Sequence, residues 1–189
     1  MQPDRPEPAL TTPMVLSFYA GMLFVALVLL AFTEPGPMLL LRHPAALPVP
    51  WWAAGVGVGV ALVLGSALAE RLWPPMRRLA ALLSETLGPV GSLQAGLWAL
   101  ASGVAEEALF RGFAQHAVGY VAASLVFALL HGGISRKMIA WSTFALVAGL
   151  SFGLLAEAYA SIWPAAVAHV VVNAVNLRRL GRLAMEERP

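Results

Sequence analysis

The stretch Ala105-Glu106-Glu107-Ala108-Leu109-Phe110-Arg111 places two carboxylates and a guanidinium inside a run that is otherwise apolar enough to enter a bilayer. A charged side chain at membrane depth costs at least about 2.5–3.5 kcal/mol, so such residues usually face a protein interior and serve a function. The alternative is a helix end at the water interface, where three charges would be ordinary. The cost of burial favours the first interpretation, in which the fold is organised around this charged motif.

Helical spacing indicates how the charges could be tolerated. Glu107 and Arg111 stand four positions apart with the acid on the N-terminal side, so they can form an ion pair on one helix face. Glu106 lies roughly 100° around the same helix and has no partner within the motif. It is therefore the candidate for a general base.

The composition indicates an integral membrane protein. Of the 189 residues 59% are hydrophobic and only 12% are charged, whereas soluble domains carry about 25% charged residues. The formal net charge is +2 and no basic block alternates with aromatic residues, so nucleic acid is not an expected partner. The absence of cysteine excludes disulfides, a thiolate nucleophile and a cysteine-based metal site.

The apolar runs predict an all-α fold, a polytopic membrane bundle of about six transmembrane helices plus one interfacial amphipathic helix. We expect a polar tail over 1–13, a single membrane domain over 14–177 with its motif-bearing core in 89–177, and a basic cytoplasmic tail over 178–189. The predicted amphipathic helix is Met76–Leu87. The six predicted spans are Met14–Phe32, Trp51–Ala69, Gly91–His116, Val118–His131, Met138–Ala156 and Ile162–Leu177.

The charged residues between the predicted spans agree with an even number of spans. Six spans put ten of the twelve Lys and Arg residues on one side, leave Arg42 on the other side and place Arg111 in the motif. Because basic loops stay in the cytoplasm, this bias predicts a multi-pass protein of the cell (inner) membrane with both termini cytoplasmic. Two pairs of small residues, Gly55 with Gly59 and Gly149 with Gly153, predict close helix packing within the bundle.

Two further predicted spans carry polar side chains at helical spacing. Phe127 and His131 stand four positions apart in the fourth span, as do His169 and Asn173 in the sixth. Together with Glu106 they supply what water-mediated peptide hydrolysis needs: a carboxylate that takes a proton from water, an imidazole that orients the water, and an imidazole and a carboxamide that donate hydrogen bonds to an oxyanion. The only aspartate is Asp4, and no Ser-His-Asp arrangement is evident.

These three motifs, in this order on separate apolar helices, resemble the CAAX-protease and bacteriocin-processing (Abi-like) family of intramembrane endopeptidases over about residues 89–177. The pattern is Glu106-Glu107-x3-Arg111, Phe127-x3-His131 and His169-x3-Asn173. The resemblance implies that the motifs converge on a cavity open to the membrane or to one aqueous face. It also implies a membrane-associated protein or peptide as substrate.

By the same resemblance, Glu106 activates water with His131, and His169 with Asn173 forms the oxyanion hole. Glu107, Arg111 and Phe127 then have supporting roles. We expect no cofactor; the alternative is a zinc ion held by Glu106, His131 and His169.

Two rival classes remain open at this point. The same polar residues could form the buried network of a non-catalytic membrane binding, immunity or scaffold protein. A small proton-coupled transporter would require inverted repeats with broken helices, which the sequence does not show. The span assignment leaves a discrepancy in membrane depth between Glu106 and His131. A third span that starts at Gly91 on the cytoplasmic side places Glu106 beyond the midplane, whereas His131 lies nearer the cytoplasm.

Overall fold

The computed structural model describes residues 10–34 and 36–186, and within these ranges the chain is helical without any strand. The predicted all-α fold is therefore confirmed. The first nine residues of the expected polar tail and the last three residues of the chain lie outside the described residues. The helices are α1 (Thr12–Ala31), α2 (Trp51–Leu72), α3 (Pro74–Leu87), α4 (Ser92–Glu107), α5 (Gln115–Gly132), α6 (Ile139–Tyr159) and α7 (Trp163–Glu186).

Four described segments are long and apolar enough to cross a membrane: α1, α2, the continuous stretch Ser92–Gly132 and α6. The chain is thus a helical membrane protein. The stretch Ser92–Gly132 contains both the third and the fourth predicted span in 41 residues. Helix α7, which corresponds to the sixth predicted span, is not among the four, and it contains Arg178, Arg179 and Arg182.

The third and fourth predicted spans are joined by irregular helix. A π-helical turn, Ala108–Ala114, follows α4 directly and leads into α5. Inside α5, Gly119 has φ +80° and ψ 162°, so the helix breaks there. The left-handed region is open to glycine because it has no Cβ, which explains why the chain can turn at this residue.

Contacts between helix ends show which ends of the bundle lie together. Trp98 Nε1 donates a 3.3 Å hydrogen bond to Thr12 Oγ1, so α1 and α4 begin at the same end. Arg178 Nη1 donates to the carbonyl of Val90 at 3.2 Å, which brings the last part of α7 to that end. The hydroxyl of Tyr159 donates to the Val49 carbonyl at the opposite end.

The sequence analysis expected the last helix to end near Leu177. Helix α7 instead continues to Glu186. The residues beyond Leu177 are packed: Leu180 and Ala184 are buried, and Arg179 forms an ion pair with Glu70 of α2. Gly181 lies against Val90, where an added Cβ would stand 2.6 Å from the Val90 backbone nitrogen. The sequence analysis predicted a basic tail here because several arginines follow the apolar run. The local sequence does not show that these arginines have partners on other parts of the fold.

Helix α3 buries one face, formed by Met76, Leu79, Ala80 and Ser84. Its apolar side chains pack with Ala140 and Trp141, at the start of α6. The amphipathic helix predicted over Met76–Leu87 is therefore present and covers the end of the α5–α6 hairpin. This packing also removes the discrepancy in depth, since α4 extends about 21 Å before Glu106 whereas α5 ends one residue after His131. The α5–α6 hairpin therefore ends deeper in the bundle than the start of α4, and α3 packs over its end.

The predicted close packing at Gly55 and Gly59 is confirmed. An added Cβ on Gly55 would lie 2.6 Å from the Pro164 carbonyl oxygen, and one on Gly59 would lie 2.8 Å from Val171 Cβ, so α2 and α7 meet through these glycines. Gly57, on the other side of α2, has nothing within 4 Å of such an atom.

We therefore expect Gly59→Leu to destabilise the fold by about 1–3 kcal/mol or more, because a large side chain cannot enter this contact without separating the helices. Gly57→Leu is the matched control and should change stability little. Thermal unfolding of the two variants in detergent measures the difference, and equal melting temperatures would contradict the close contact between α2 and α7.

Candidate active site

The π-helical turn carries Arg111 back against the end of α4. Arg111 Nη1 donates to Glu107 Oε1 at 3.0 Å, and Nη2 donates to the carbonyl of Gly149 on α6 at 2.8 Å. Glu107 is fully buried and Arg111 is 1% exposed. The ion pair predicted from the spacing is therefore present, and its burial is that of a protein interior rather than of a wet helix end. π-Helical turns within helices occur frequently at functional sites.

Helix α7 approaches α4 closely enough to bring a second motif to this pair. His169 Nδ1 lies 2.7 Å from Glu107 Oε1, which thus accepts hydrogen bonds from both His169 and Arg111. The approach depends on Gly103, because an added Cβ there would stand 2.7 Å from Val170 Cγ2. The Glu107 carboxylate thus connects the first motif with the third.

Glu106 faces the histidines of the other two motifs. Its Oε2 lies 3.5 Å from His131 Nε2 and 3.9 Å from His169 Nε2. Both separations exceed a direct hydrogen bond, and Oε2 is buried without a hydrogen-bond partner among the described residues. The structure thus brings together Glu106, His131 and His169 from three helices, as the sequence analysis predicted.

The second nitrogen of each imidazole has a defined acceptor. His131 Nδ1 donates to the carbonyl of Phe127 at 2.8 Å, and His169 Nδ1 donates to Glu107. In a neutral imidazole one nitrogen donates and the other accepts. When the two rings are neutral, they therefore direct lone pairs on Nε2 towards Glu106, and His169 can donate from Nε2 only when it is doubly protonated.

Aromatic side chains hold the charged groups in place. Phe127 lies under the Arg111 guanidinium at 4.8 Å from its ring centroid and contacts the His131 ring at a centroid distance of 4.1 Å. Phe152, on α6, stacks on His169 at 5.0 Å with an interplanar angle of 22°. The supporting position expected for Phe127 is thus explained by cation–π and ring contacts, and Phe152 adds a second support that the motif does not contain.

Asn173 reaches the same site from one turn further along α7. Its Nδ2 donates to Ser102 Oγ on α4 at 2.8 Å. A carboxamide nitrogen carries two hydrogens, so one donor of Asn173 remains free of Ser102. Asn173 is therefore placed to hydrogen-bond a group that enters beside Glu106.

A cavity of about 560 Å³ connects these residues with the end of the bundle at which α1 and α4 begin. Its polar wall contains Glu106, His131 and Asn173, while α1 and α3 supply apolar side chains such as Phe18 and Leu83. Helices α1 and α3, which form two of its walls, make no contact with each other in the described part of the chain. A cavity of this size and lining suits an apolar molecule or segment with one polar group at the inner end.

Several residues of the site were missed by the sequence analysis. Ser102, which the sequence analysis did not name, is the hydrogen-bond partner of Asn173. Tyr19, on α1, lines the cavity together with Glu106 and Ser102. Gln115 Nε2 donates to the Gly153 carbonyl and ties the π-helical turn to α6. Ser102 could have been identified from its position one helical turn before Glu106. The apolar first span contains no pattern that would identify Tyr19 as a residue of the site.

Glu106, His131 and His169 are the candidate ligands of a zinc ion, and their separations can be compared with tetrahedral zinc geometry. Two ligands of a tetrahedral zinc stand about 3.3–3.4 Å apart, which matches the separation of Glu106 from His131 and is shorter than that from His169. Within the described ranges, no three side chains of His, Asp, Glu or Cys are grouped closely enough to hold a metal ion. The described geometry therefore fits a zinc site incompletely, and we derive no step through a metal.

Comparison with known proteins agrees with the motifs. The family model described as type II CAAX prenyl endopeptidase Rce1-like matches residues 89–175. A curated protein of Bacillus subtilis (strain 168), "Uncharacterized protein YpbD", is 40% identical over 73 residues, which are 38% of this chain and 37% of that protein. The chain thus spans little more than a third of this relative's length. No solved structure matches the chain significantly.

The matched stretch contains all three motifs. It begins just before α4, includes the π-helical turn with Arg111, and ends two residues after Asn173. The sequence analysis placed the family resemblance over almost the same residues, and that prediction is confirmed. Residues 89–175 are thus similar to the Rce1-like CAAX prenyl endopeptidases.

Proposed function

We propose that the chain is an intramembrane endopeptidase that hydrolyses a peptide bond in a membrane-associated protein or peptide, with Glu106 as general base. The observation that carries this proposal is the buried Oε2 of Glu106, which has no hydrogen-bond partner in the described part of the chain and lies 3.5 Å from Nε2 of His131. Two acceptors this close can share the two hydrogens of one water molecule.

The reaction follows from these positions. Glu106 takes a proton from the water as the oxygen adds to the scissile carbonyl carbon, and the free N–H of Asn173 stabilises the oxyanion. The proton then passes to the leaving nitrogen as the carbon–nitrogen bond breaks, so the products are a carboxylate and an amine. Because His169 Nδ1 donates to Glu107, His169 can donate to the oxyanion from Nε2 only as imidazolium.

The cavity supports a substrate within or at the membrane. Its walls are largely apolar, and two of them belong to helices that do not touch. An apolar segment can therefore reach Glu106 along the cavity, where its peptide group would meet Glu106, His131 and Asn173. We propose that the protein resides in the cell (inner) membrane, with the basic end of the bundle facing the cytoplasm.

The membrane orientation predicts the outcome of a reporter experiment. A reporter fused after Lys137, between α5 and α6, should remain cytoplasmic because most basic residues lie at that end. A reporter inserted in the 42–49 segment, at the opposite end, should be exported. Export of both reporters would contradict the proposed orientation.

Asn173→Ala should lower the rate of cleavage by about 10²–10³-fold, since removing one oxyanion donor has this effect in other hydrolases. The rate is measured in vesicles by mass spectrometry of new peptide termini. Val175→Ala, at an exposed position of the same helix, is the control and should cleave at the wild-type rate. Equal rates for the two variants would remove Asn173 from the oxyanion hole.

A zinc-dependent version of the same protease is the second candidate. The observation in its favour is that both imidazoles donate Nδ1–H to an acceptor, as zinc-bound histidines do. In the metal-free mechanism, chelators should leave the purified protein active, and elemental analysis should find well under one equivalent of zinc. Loss of activity on zinc removal and its return on zinc addition would establish the metal enzyme instead.

A further inference from the structure

A buried serine on α4 contacts the carboxamide of the proposed oxyanion hole. Ser102 lies one helical turn before Glu106 and is buried. Its Oγ accepts a 2.8 Å hydrogen bond from Asn173 Nδ2 on α7. Both side chains line the cavity together with Glu106. A side chain that belongs to none of the three motifs thus contacts one of the residues proposed to act on the substrate.

We propose that Ser102 is a positioning residue, whose hydroxyl fixes the orientation of the Asn173 carboxamide so that the second N–H of Nδ2 is presented to the oxyanion. The inference rests on the proposed function for its effect on rate. The contact itself is a property of the folded protein and is tested separately.

The hydrogen bonds of Ser102 make its Oγ an acceptor for α7. Ser102 Oγ donates its single proton to the carbonyl of Ala99, three positions earlier on the same helix, at 3.2 Å. A hydroxyl has one proton and two lone pairs, so Ser102 can offer Asn173 only a lone pair. The nitrogen of the carboxamide therefore lies towards Ser102, and the carboxamide oxygen is excluded from that position because it would meet a lone pair there.

The Asn173 carboxamide would not keep this orientation without a partner. The last torsion of an asparagine side chain is broad and roughly two-fold, so the carboxamide can turn by about 180° and exchange its nitrogen with its oxygen. The turned carboxamide would present an oxygen lone pair at the position from which Nδ2 donates, and a lone pair repels a developing oxyanion instead of stabilising it. Ser102 thus selects the orientation that can donate.

Close packing of α4 on α7 keeps the two side chains within reach of each other. Gly103, next to Ser102, lies so near α7 that an added Cβ would stand 2.7 Å from Val170 Cγ2 and 3.2 Å from the Val170 nitrogen. The same two helices are joined again by the 2.7 Å contact of His169 Nδ1 with Glu107 Oε1. The packing of the helices therefore fixes the separation of the Ser102 hydroxyl from α7.

The first measurement needs no substrate. The chain contains two asparagines, Asn173 and Asn176, so protein labelled with 15N in the asparagine side chains should give two NH2 signals by NMR in detergent. The Asn173 signal is the one that is lost in Asn173→Ala. One of its hydrogens should be protected from exchange with water in the wild type and unprotected in Ser102→Ala.

Ser84→Ala is the matched control for Ser102→Ala. Ser84 is a buried serine of α3 whose Oγ donates to the carbonyl three positions earlier, as that of Ser102 does. The same loss of a buried hydroxyl there should leave the exchange of the Asn173 hydrogens unchanged.

The second measurement concerns rate, on a substrate that the wild type cleaves and Glu106→Gln does not. Ser102→Ala should lower kcat by about 3–10-fold, the value of one neutral hydrogen bond, and leave KM within about twofold, because the oxyanion forms only after the substrate has bound. Alanine is the best helix former, so the substitution does not weaken α4 itself. Ser84→Ala should leave both constants unchanged.

A double substitution distinguishes positioning from a separate effect on the site. In the Asn173→Ala background, Ser102→Ala should change kcat by less than about twofold, because no carboxamide remains to be oriented. The full loss of about 3–10-fold in that background would mean that Ser102 acts on the rate without Asn173, and it would overturn the positioning role.

The remaining outcomes separate this inference from the proposed function. Asn173 hydrogens that exchange equally fast in the wild type and in Ser102→Ala overturn the contact, whatever the activity. A protected hydrogen with unchanged kcat in Ser102→Ala overturns the positioning role. A protected hydrogen in a protein that cleaves no membrane peptide supports the contact and contradicts the peptidase.

Discussion

Replacing Glu106 with glutamine should lower the rate of peptide-bond cleavage by about 10²–10⁴-fold, the contribution expected of a general base. Glutamine preserves the volume and most of the hydrogen bonding of glutamate but cannot accept the proton of water. Because Oε2 makes no direct hydrogen bond among the described residues, the fold does not depend on its charge. Abundance and thermal stability should therefore remain close to those of the wild type.

Glu157→Gln is the matched control for this substitution. Glu157 is exposed near the end of α6 and belongs to none of the three motifs. The same chemical change there should affect neither rate nor stability. If Glu106→Gln instead cleaves at the wild-type rate, another group activates the water and Glu106 is no general base.

Arg111→Ala should cause a large loss of stability as well as of activity, whereas Glu106→Gln affects activity alone. The guanidinium is buried against Glu107, the Gly149 carbonyl and two phenylalanine rings. Its removal leaves Glu107 as a buried carboxylate with His169 as its remaining partner, and breaking such a pair costs about 3–5 kcal/mol. We expect low accumulation in membranes and a lower melting temperature in detergent.

The pair of Arg179 with Glu70 provides the comparison. The side chains are 36% and 21% exposed, and pairs of this kind contribute about 0–1 kcal/mol. Arg179→Ala should therefore melt close to the wild type. Equal melting temperatures for Arg111→Ala and Arg179→Ala would mean that the Glu107–Arg111 pair is solvated rather than buried.

The sequence was sufficient for the parts of the site that depend on local spacing. Glu107 and Arg111 stand four positions apart, and this relation survives the change from α-helix to π-helical turn because the long arginine side chain reaches back across it. His131 and His169 could be identified because a polar side chain within an apolar helix is costly and therefore conspicuous.

Relations between distant helices could not be predicted in this way. Glu107, the acceptor that sets the tautomer of His169, is identified only when α4 and α7 meet at Gly103. Tyr19 sits in a span that looks uniformly apolar, so nothing local indicates that it lines the cavity. The packed end of α7 was missed for the same reason, since Arg179 finds its partner in α2.

The central claim, that Glu106 makes this chain a peptidase, is tested most directly by the protein termini in membranes. Cells that produce the wild type and cells that produce Glu106→Gln in equal amounts are compared by mass spectrometry of all N- and C-termini in their membrane fractions. We predict paired new termini, from one or a few membrane-associated proteins, that are present with the wild type and absent with the variant. Identical termini in the two fractions would contradict the claim and favour a non-catalytic binding or scaffold protein.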